Sequence, residues 1–329
     1  MTNFLNMKRF AVLCGGYSSE YEISLKSAGT IIKNFPKEYE VFPIEVMKDK
    51  WEATYQGEKY LVDPWNLTFT RNNESIRPDA VIIYIHGNPG ENGKLTAFFE
   101  MRNIPFVNSG GLASHLSFDK WYCNQFLNNF GVKVAKSLFL RKEDEFSDDY
   151  IVQQLGLPCF VKPTDSGSSY GITKVHQKED LQEAIHKAFE EGKSVVIESF
   201  LKGTEVTCAC YHTKEGIQAL SLVEIVSEND FFDFEAKYLG KSQEICPAHV
   251  SDEVKHKVQE VAKKVYQLMN LQSIARVDFM VVDGEPYVIE INTTPGFSEA
   301  SLVPKMLHYD GISIEDFWRS ILHYELNLD

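Results

Sequence analysis

Two pairs of polar side chains near the C-terminal end have types and spacing that could hold a metal ion. One β-rich run carries Arg276 and Asp278. After the turn sequence 283–285, a second run carries Glu290 and Asn292. If all three turn residues form the loop of a hairpin, Asp278 faces Glu290, and the four polar groups share one face of the sheet. This inference depends on a three-residue loop, because a strict two-residue turn puts the two carboxylates on opposite faces.

Two carboxylates directly opposite each other, with Cβ atoms roughly 5 Å apart, repel. A chain keeps such a pair most easily where a cation sits between the two groups. Asp278, Glu290 and the amide oxygen of Asn292 supply only oxygen ligands, which suits Mg²⁺, an ion that keeps waters and binds substrate phosphates. The sequence therefore predicts a magnesium site beside a bound phosphate group.

A loop of small residues after Lys162 could bind phosphate. The segment 159–175 reads as strand, loop and strand, and its loop is rich in glycine and serine. Such residues let backbone N–H groups approach phosphate oxygens closely, and Lys162 could add a positive charge. The segment is not a Walker A motif, since that motif needs a helix after the loop. An ordinary hairpin loop is the alternative interpretation.

Two acidic positions further along could contact a base and a sugar. Glu198 lies in the apolar strand 195–201, and Glu205 follows that strand. Backbone groups after Glu198 could read an adenine edge, and the Glu205 carboxylate could bind ribose hydroxyls. Solvated glutamates at a strand end are the alternative interpretation.

Two loops could line a ligand crevice. His86 ends an apolar strand and opens the Gly-rich loop 87–93. Loops at the carboxyl ends of strands line the crevice of an open α/β sheet, so His86 could bind a ligand or transfer a proton, with a structural hydrogen-bonding role as the alternative. The loop 293–302 follows the predicted metal strand. Its backbone N–H groups could hold an oxyanion or a carboxylate, with a plain exit loop as the alternative.

Strand and helix patterns indicate two kinds of architecture. Strands alternate with helices in the first 115 residues, which is typical of a Rossmann-like parallel sheet. From Val134 onward strands dominate, with helices over 178–191 and 252–269, so we expect an α+β architecture with antiparallel hairpins. The Gly15-Gly16 turn lacks the G-x-G-x-x-G spacing, which argues against a dinucleotide-binding dehydrogenase.

Composition limits the classes of function. The chain has 329 residues, 43% of them apolar, which is enough for two or three packed domains. Its formal net charge of −14 disfavours nucleic acid as the main partner. The six cysteines show no metal-binding spacing, and the sequence has no signal peptide or membrane-spanning run, so we expect a cytoplasmic protein with no membrane contact. Residues 1–6 precede a second methionine, Met7, and are expected to be a dispensable leader.

Five motifs, in order, together resemble the D-alanine–D-alanine ligase family of the ATP-grasp superfamily. They start at Gly15 (GGxSxExExS), His86 (HGxxGENG), Asp119 (DK), Lys162 (KPxxxGSS) and Arg276 (RxD, then ExNxxPG from Glu290). The departures from the family pattern, none at a residue that the chemistry needs, are Asn92, Thr96, Ser166 and Phe200. The resemblance implies a Rossmann-like domain over 1–115 and an ATP-grasp fold of two α+β subdomains over 116–212 and 213–329, the last with a lid loop and the metal site.

The resemblance implies a ligase that uses ATP and two Mg²⁺ or Mn²⁺ ions to join two D-alanine molecules for peptidoglycan synthesis. The first carboxylate would attack the γ-phosphate to give an acyl phosphate, which the amine of the second D-alanine would then attack. A related ligase with D-lactate or D-serine as second substrate is the alternative. A nucleotide-binding regulator without turnover would need a gap in the set Arg276, Asp278, Glu290 and Asn292, and the sequence has none. The family also implies a homodimer.

The resemblance assigns roles to individual residues of this chain. The implied metal ligands are Asp278, Glu290 and Asn292. The implied ATP-binding residues are Lys120, Lys162, Ser169, Glu198, Ser199, Leu201 and Glu205. The implied catalytic residues are Glu20, Ser168 and Tyr238, joined in one hydrogen-bonded network, and Arg276 and Gly296, which form an oxyanion hole. The implied substrate-binding residues are His86, Lys237, Ser301 and Leu302. Tyr238 favours an amine as the second nucleophile.

Overall fold

A six-stranded sheet forms the N-terminal part of the molecule. The computed structural model describes residues 7–145, 147–167, 170–227 and 242–328. The strands of this part are β1 Arg9–Gly15, β2 Glu40–Val46, β3 Trp51–Tyr55, β4 Glu58–Val62, β7 Ala80–Ile83 and β8 Phe106–Val107, with β5 Phe69–Arg71 and β6 Glu74–Ile76 in a separate hairpin. The sheet order is β4-β3-β2-β1-β7-β8. Pairing is parallel from β2 to β8, which confirms the Rossmann-like prediction, and antiparallel in the added strands β3 and β4.

The helices of this part are α1 Tyr21–Lys33 and α2 Lys94–Arg102. Two further helices, α3 Gly111–Phe118 and α4 Lys120–Asn129, follow along the chain before the next sheet. A tight turn joins β1 to α1 because Gly15 and Gly16 both have positive φ, 88° and 97°. A Cβ on Gly16 would lie 2.3 Å from Cγ2 of Ile85, so glycine is needed here on steric grounds as well. The turn brings Glu20, at the start of α1, close to the loop after β7.

The central part is a four-stranded antiparallel sheet. Its elements are β9 Ser137–Arg141, α5 Asp148–Leu155, β10 Cys159–Pro163, β11 Thr173–Val175, a 3₁₀ turn Lys178–Asp180, α6 Leu181–Glu191 and β12 Ser194–Ser199. The order is β11-β10-β12-β9. The strand, loop and strand predicted around Lys162 correspond to β10 and β11.

The C-terminal part is a six-stranded antiparallel sheet. Its strands are β13 Thr204–Thr213, β14 Gly216–Ala219, β15 Val223–Ser227, β16 Ser242–Ile245, β17 Ile274–Val282 and β18 Glu285–Asn292. Its helices are α7 Asp252–Leu268, α8 Leu302–Tyr309 and α9 Ile314–Glu325. The order is β16-β15-β13-β17-β18, with β14 paired to β13. Strand β13 belongs to this sheet although it begins at Thr204, before the boundary at residue 212 expected from the sequence.

One face of the N-terminal sheet and one face of the C-terminal sheet share a hydrophobic core, and each of these two sheets has a further buried cluster on its other face. Phe10 and Ile31 from the first part lie in one buried cluster with Phe297, Phe317 and Trp318 from the last. The central sheet has its own cluster, in which β10 and β12 pack against α6. In the described part of the chain, no helix is long and apolar enough to cross a bilayer.

Candidate active site

The hairpin of β17 and β18 has a shorter turn than the sequence suggested. Asp283 and Gly284 form a two-residue turn with φ of 50° and 78°. Two positive φ values suit a type I′ turn. Val282 therefore pairs with Glu285, and the predicted three-residue loop is wrong. Taken alone, this turn would place the two carboxylates on opposite faces.

A β-bulge restores the expected arrangement of the two carboxylates. Asp278 pairs with Glu290, but the next residue on β17, Phe279, pairs with Val288, which leaves Ile289 as an extra residue on β18. One extra residue reverses the alternation of side chains along a strand. The prediction that Asp278 faces Glu290 is thus confirmed, although its stated reason was wrong.

Asp278 is the centre of a buried hydrogen-bond cluster. The Arg276 guanidinium donates to both carboxylate oxygens, from Nε to Oδ1 at 2.8 Å and from Nη2 to Oδ2 at 2.9 Å. Thr207 Oγ1 donates to Oδ1 at 2.6 Å, and Asn292 Nδ2 donates to Oδ2 at 3.1 Å. Burial acts to lower the pKa of Arg276, but the Asp278 carboxylate outweighs burial and raises that pKa, so the guanidinium stays charged.

Sequence reasoning missed Thr207. It lies opposite Asp278 because β13 pairs with β17, a pairing between strands about 70 residues apart that no local pattern reveals.

The oxygen atoms of Asp278, Glu290 and Asn292 are of the type that binds a divalent cation. Among the described residues, no group of three or more His, Cys, Asp or Glu side chains is placed to hold a metal ion. The predicted set has two carboxylates and one amide oxygen, and so few protein oxygens suit Mg²⁺, which keeps several waters. The four hydrogen bonds to Asp278 occupy its usual acceptor positions, so a cation bound there would replace one of them.

Two adjoining cavities meet beside this hairpin. The first, of about 390 Å³, is lined by residues expected to contact the amino acids, namely Glu20, His86, Arg276, Gly296, Ser301 and Leu302. The second is lined by residues expected to contact the nucleotide and metal, namely Lys162, Glu198, Ser199, Leu201, Glu205 and Asp278. Lys120 and Glu290 line both cavities, and Asn292 lines the first. The predicted residues therefore form two sets, one for each cavity, and the two sets meet at the Lys120 ammonium group and the Glu290 carboxylate.

The two lysines of the site are held in different ways. Lys162 is nearly buried and donates to Glu198 Oε2 at 2.6 Å, while Asn124 Nδ2 donates to Glu198 Oε1 at 2.8 Å. Glu198 is therefore a buried ion-pair partner and not a solvated strand-end glutamate. Lys120, at the start of α4, donates from Nζ to the Ser166 carbonyl at 2.7 Å. Asn124, one turn further along α4, was also missed, because its partner lies 74 residues away.

Glu91 is a third residue that sequence reasoning left without a role. Its carboxylate lines the first cavity and accepts the Gly87 N–H at 3.0 Å. Burial, followed by the nearby negative charge of Glu20, raises the pKa of Glu91 to about 8. Its place in the HGxxGENG motif was the available signal.

The polar groups of His86 are satisfied within the protein. Nδ1 is 2.9 Å from the Thr294 carbonyl, and Nε2 is 3.3 Å from Ser27 Oγ. The structural alternative considered for this histidine therefore matches its surroundings. Ser301 precedes α8, and its Oγ accepts the Ser298 N–H at 3.0 Å. The predicted site residues Ser168, Ser169, Lys237 and Tyr238 lie outside the described residues.

Comparison with known proteins places the chain in a family. The family model described as "D-ala D-ala ligase N-terminus" matches residues 9–109, and the one described as "D-ala D-ala ligase C-terminus" matches residues 126–323. A D-alanine–D-alanine ligase from Phocaeicola vulgatus is 41% identical over 96% of this chain and 99% of its own length. One from Flavobacterium johnsoniae is 42% identical over 97% of this chain and all of its own length.

Solved structures resemble the whole chain. The VanG D-Ala:D-Ser ligase from Enterococcus faecalis has a TM-score of 0.87 at 30% identity and covers 97% of this chain and 100% of its own. A D-alanine–D-alanine ligase from Bacillus anthracis in complex with ATP has a TM-score of 0.78 at 28% identity, covering 97% of this chain and 98% of its own. The chain therefore belongs to the D-alanine–D-alanine ligase family.

Proposed function

We propose that this enzyme uses ATP to join two D-alanine molecules into D-alanyl-D-alanine for peptidoglycan synthesis, in the cytoplasm and as a homodimer. One observation carries the proposal: the cavity with the expected amino-acid contacts and the cavity with the expected nucleotide contacts meet at Lys120 and Glu290. A carboxylate bound in the first cavity and a triphosphate bound in the second come together at that junction.

In the first step, the site has to align two anions. Glu20 pairs with the ammonium group of the first D-alanine, and Arg276 lies beside its carboxylate. Lys120 and Lys162 bind the phosphates from the other side. A carboxylate oxygen attacks the γ-phosphorus, the bond to the β–γ bridging oxygen breaks, and an acyl phosphate and ADP form. The protein contributes alignment and positive charge rather than a covalent group.

Divalent cations held by Asp278, Glu290 and Asn292 would neutralise charge on the triphosphate. This role fits the donor chemistry of the three side chains and the position of Glu290 on both cavities.

In the second step, the amine of the second D-alanine attacks the acyl carbon. The carbonyl oxygen becomes an oxyanion, which the Arg276 guanidinium and the Gly296 N–H stabilise. The C–O bond to phosphate then breaks, and the nitrogen gives up one proton, which the departing phosphate can accept. Ser301 and the first N–H groups of α8, from Leu302 onward, hold the second carboxylate, because a helix N-terminus attracts anions.

Product analysis tests the proposal. Purified protein with ATP, Mg²⁺ and D-alanine should release one phosphate for each dipeptide formed, and L-alanine should give neither product. Parallel reactions with D-lactate or D-serine beside D-alanine test the alternative second substrates. Faster formation of a mixed product than of D-alanyl-D-alanine would contradict the proposal, as would phosphate release without any dipeptide.

A further inference from the structure

A short network of side chains from the N-terminal part holds the loop that follows β18. His86 Nδ1 lies 2.9 Å from the Thr294 carbonyl oxygen. Ser27 Oγ lies 3.3 Å from His86 Nε2 and accepts the Phe297 N–H at 3.2 Å. Ser27 is fully buried and His86 is 5% exposed, so water does not compete well for these bonds.

The direction of each hydrogen bond in this network is determined by chemistry. A carbonyl oxygen only accepts, so His86 carries a proton on Nδ1. Burial lowers the pKa of His86 and keeps its ring neutral, which leaves Nε2 as an acceptor for the Ser27 hydroxyl. The Ser27 oxygen in turn accepts the Phe297 N–H. Both ring nitrogens are therefore used inside the protein.

A third side chain fixes the residue between these two anchor points. Tyr84 OH donates to the Pro295 carbonyl at 2.9 Å, and the Tyr84 ring packs edge-on against Phe297 with centroids 5.8 Å apart. The backbone of Thr294, Pro295 and Phe297 is thus held on both sides of Gly296. Gly296 itself lines the first cavity.

The same histidine is linked to the turn that carries Glu20. Ser18 Oγ donates to the His86 carbonyl at 2.8 Å, and the Glu20 N–H points back to Ser18 Oγ at 3.3 Å. One residue therefore connects the proposed ammonium contact, Glu20, with the loop around Gly296. His86 is bonded to the turn through its backbone carbonyl and to the loop through its ring.

We propose that Ser27 and His86 are positioning residues, which hold the loop 294–297 so that the Gly296 N–H is aimed at the oxyanion formed during amide-bond formation. This inference rests on the proposed function. It also gives His86 a role through the loop, in place of the direct substrate contact expected from the sequence. A small displacement of an oxyanion donor is costly, since such a bond acts only when its geometry is right.

Backbone amide hydrogen exchange together with steady-state kinetics tests this proposal. In Ser27→Ala, we expect exchange of the Phe297 amide to rise at least tenfold and kcat for dipeptide formation to fall roughly tenfold, with KM for ATP within about twofold of the parent value. His86→Asn keeps a donor near the position of Nδ1, so it should retain several-fold more activity than His86→Leu. Tyr84→Phe, which removes only the hydroxyl bonded to Pro295, is a milder second variant and should change both readouts in the same direction.

Ser221→Ala is the matched control. Ser221 is also a buried serine with a bonded hydroxyl, at 2.5 Å to Asp310, but it lines neither cavity. It should lower stability without changing exchange at 294–297 or kcat. Unchanged exchange in both Ser27→Ala and His86→Leu would overturn the proposal, as would faster exchange with an unchanged kcat. A parent enzyme that forms no dipeptide would refute the proposed function, whereas the exchange data would still show whether Ser27 and His86 hold the loop.

Discussion

The first and third sheets share one of their hydrophobic cores, whereas the core of the central sheet includes no residue of either of them. In the shared core, Phe10 and Ile31 near the start of the chain lie in one cluster with Phe317 and Trp318 near its end. The buried members of the central core all lie between Leu140 and Ile197. The residues that line the first cavity and those of the central sheet that line the second are therefore held in place by different hydrophobic cores.

The two cores support parts of the molecule that we expect to have different tasks, namely amide-bond chemistry and nucleotide binding. Glu20, Arg276 and Gly296 belong to the N-terminal and C-terminal parts that share the core, here called the shared body. The proposed chemistry needs fixed distances among these three residues. Lys162 and Glu198 belong to the central sheet, which has to admit and release a nucleotide in every cycle. We expect changes in the shared body to affect both chemistry and stability, and changes in the central sheet to affect mainly nucleotide binding.

Asp278→Asn should have the largest effect, because we expect Asp278 to contribute both to catalysis and to the stability of the shared body. Loss of the charge should lower kcat by about a thousandfold or more. It also leaves the Arg276 guanidinium, whose side chain is 12% exposed, without its charged partner, so the free energy of unfolding should fall by about 3 kcal/mol. Steady-state kinetics and urea unfolding measure the two losses.

Asp283→Asn in the exposed turn of the same hairpin is the control, and it should change neither quantity appreciably. An Asp278→Asn enzyme with more than a tenth of the parent activity would contradict the central place of this carboxylate.

Phe297→Ala and Ile197→Ala compare the two cores directly. Both side chains are fully buried, and each truncation should cost about 3–4 kcal/mol of stability. Phe297→Ala should raise KM for D-alanine more than KM for ATP, because Phe297 follows Gly296. Ile197→Ala should do the reverse, because Ile197 precedes Glu198. If both variants changed KM for D-alanine and KM for ATP equally, the two cores would not support the two cavities separately.

Lys162→Met should affect nucleotide binding with little effect on the amino-acid site. The change removes the proposed phosphate contact and leaves the buried Glu198 carboxylate without the Lys162 ammonium, although it still accepts from Asn124 Nδ2. We expect KM for ATP to rise at least about tenfold and KM for D-alanine to stay within about twofold. Lys178→Met, at an exposed lysine of the same part of the chain, is the control. A larger change in KM for D-alanine than for ATP would be inconsistent with this division.

Glu91→Gln is the smallest expected effect and depends on pH. The pKa of Glu91 is raised to about 8 in the folded state, so the folded protein binds this proton more tightly than the unfolded chain. The carboxyl group therefore costs stability as pH rises from about 4.5 to 8. Glutamine resembles the protonated acid, so the variant should match the parent near pH 4.5 and become progressively more stable than the parent as the pH rises to 8. Urea unfolding across this range measures the gain, and a gain that did not grow with pH would count against a protonated Glu91.

Much of the fold could be predicted because its signals are local. Apolar runs mark β1 and β7, the Gly15-Gly16 turn marks the start of α1, and the strands on either side of the Lys162 loop were found from pattern alone. The hairpin β3–β4 was missed, and so was the bulge at Ile289, which depends on how β17 and β18 pair along their whole length.

The site was predictable where residues stand together in a motif, and not where distant strands and helices meet. Thr207 and Asn124 reach the site through partners about 70 residues away, so a single sequence gives no sign of them. The hydrogen-bond partners of His86 could likewise not be predicted, because Ser27 and Thr294 come from opposite ends of the chain.

Isotope transfer tests the central claim most directly. If a carboxylate oxygen of the first D-alanine attacks the γ-phosphate where the two cavities meet, that oxygen leaves with phosphate when the amide bond forms. With D-alanine labelled with ¹⁸O in its carboxylate, mass spectrometry should therefore find one ¹⁸O atom in each phosphate released. Unlabelled phosphate, released in step with dipeptide formation, would contradict the account.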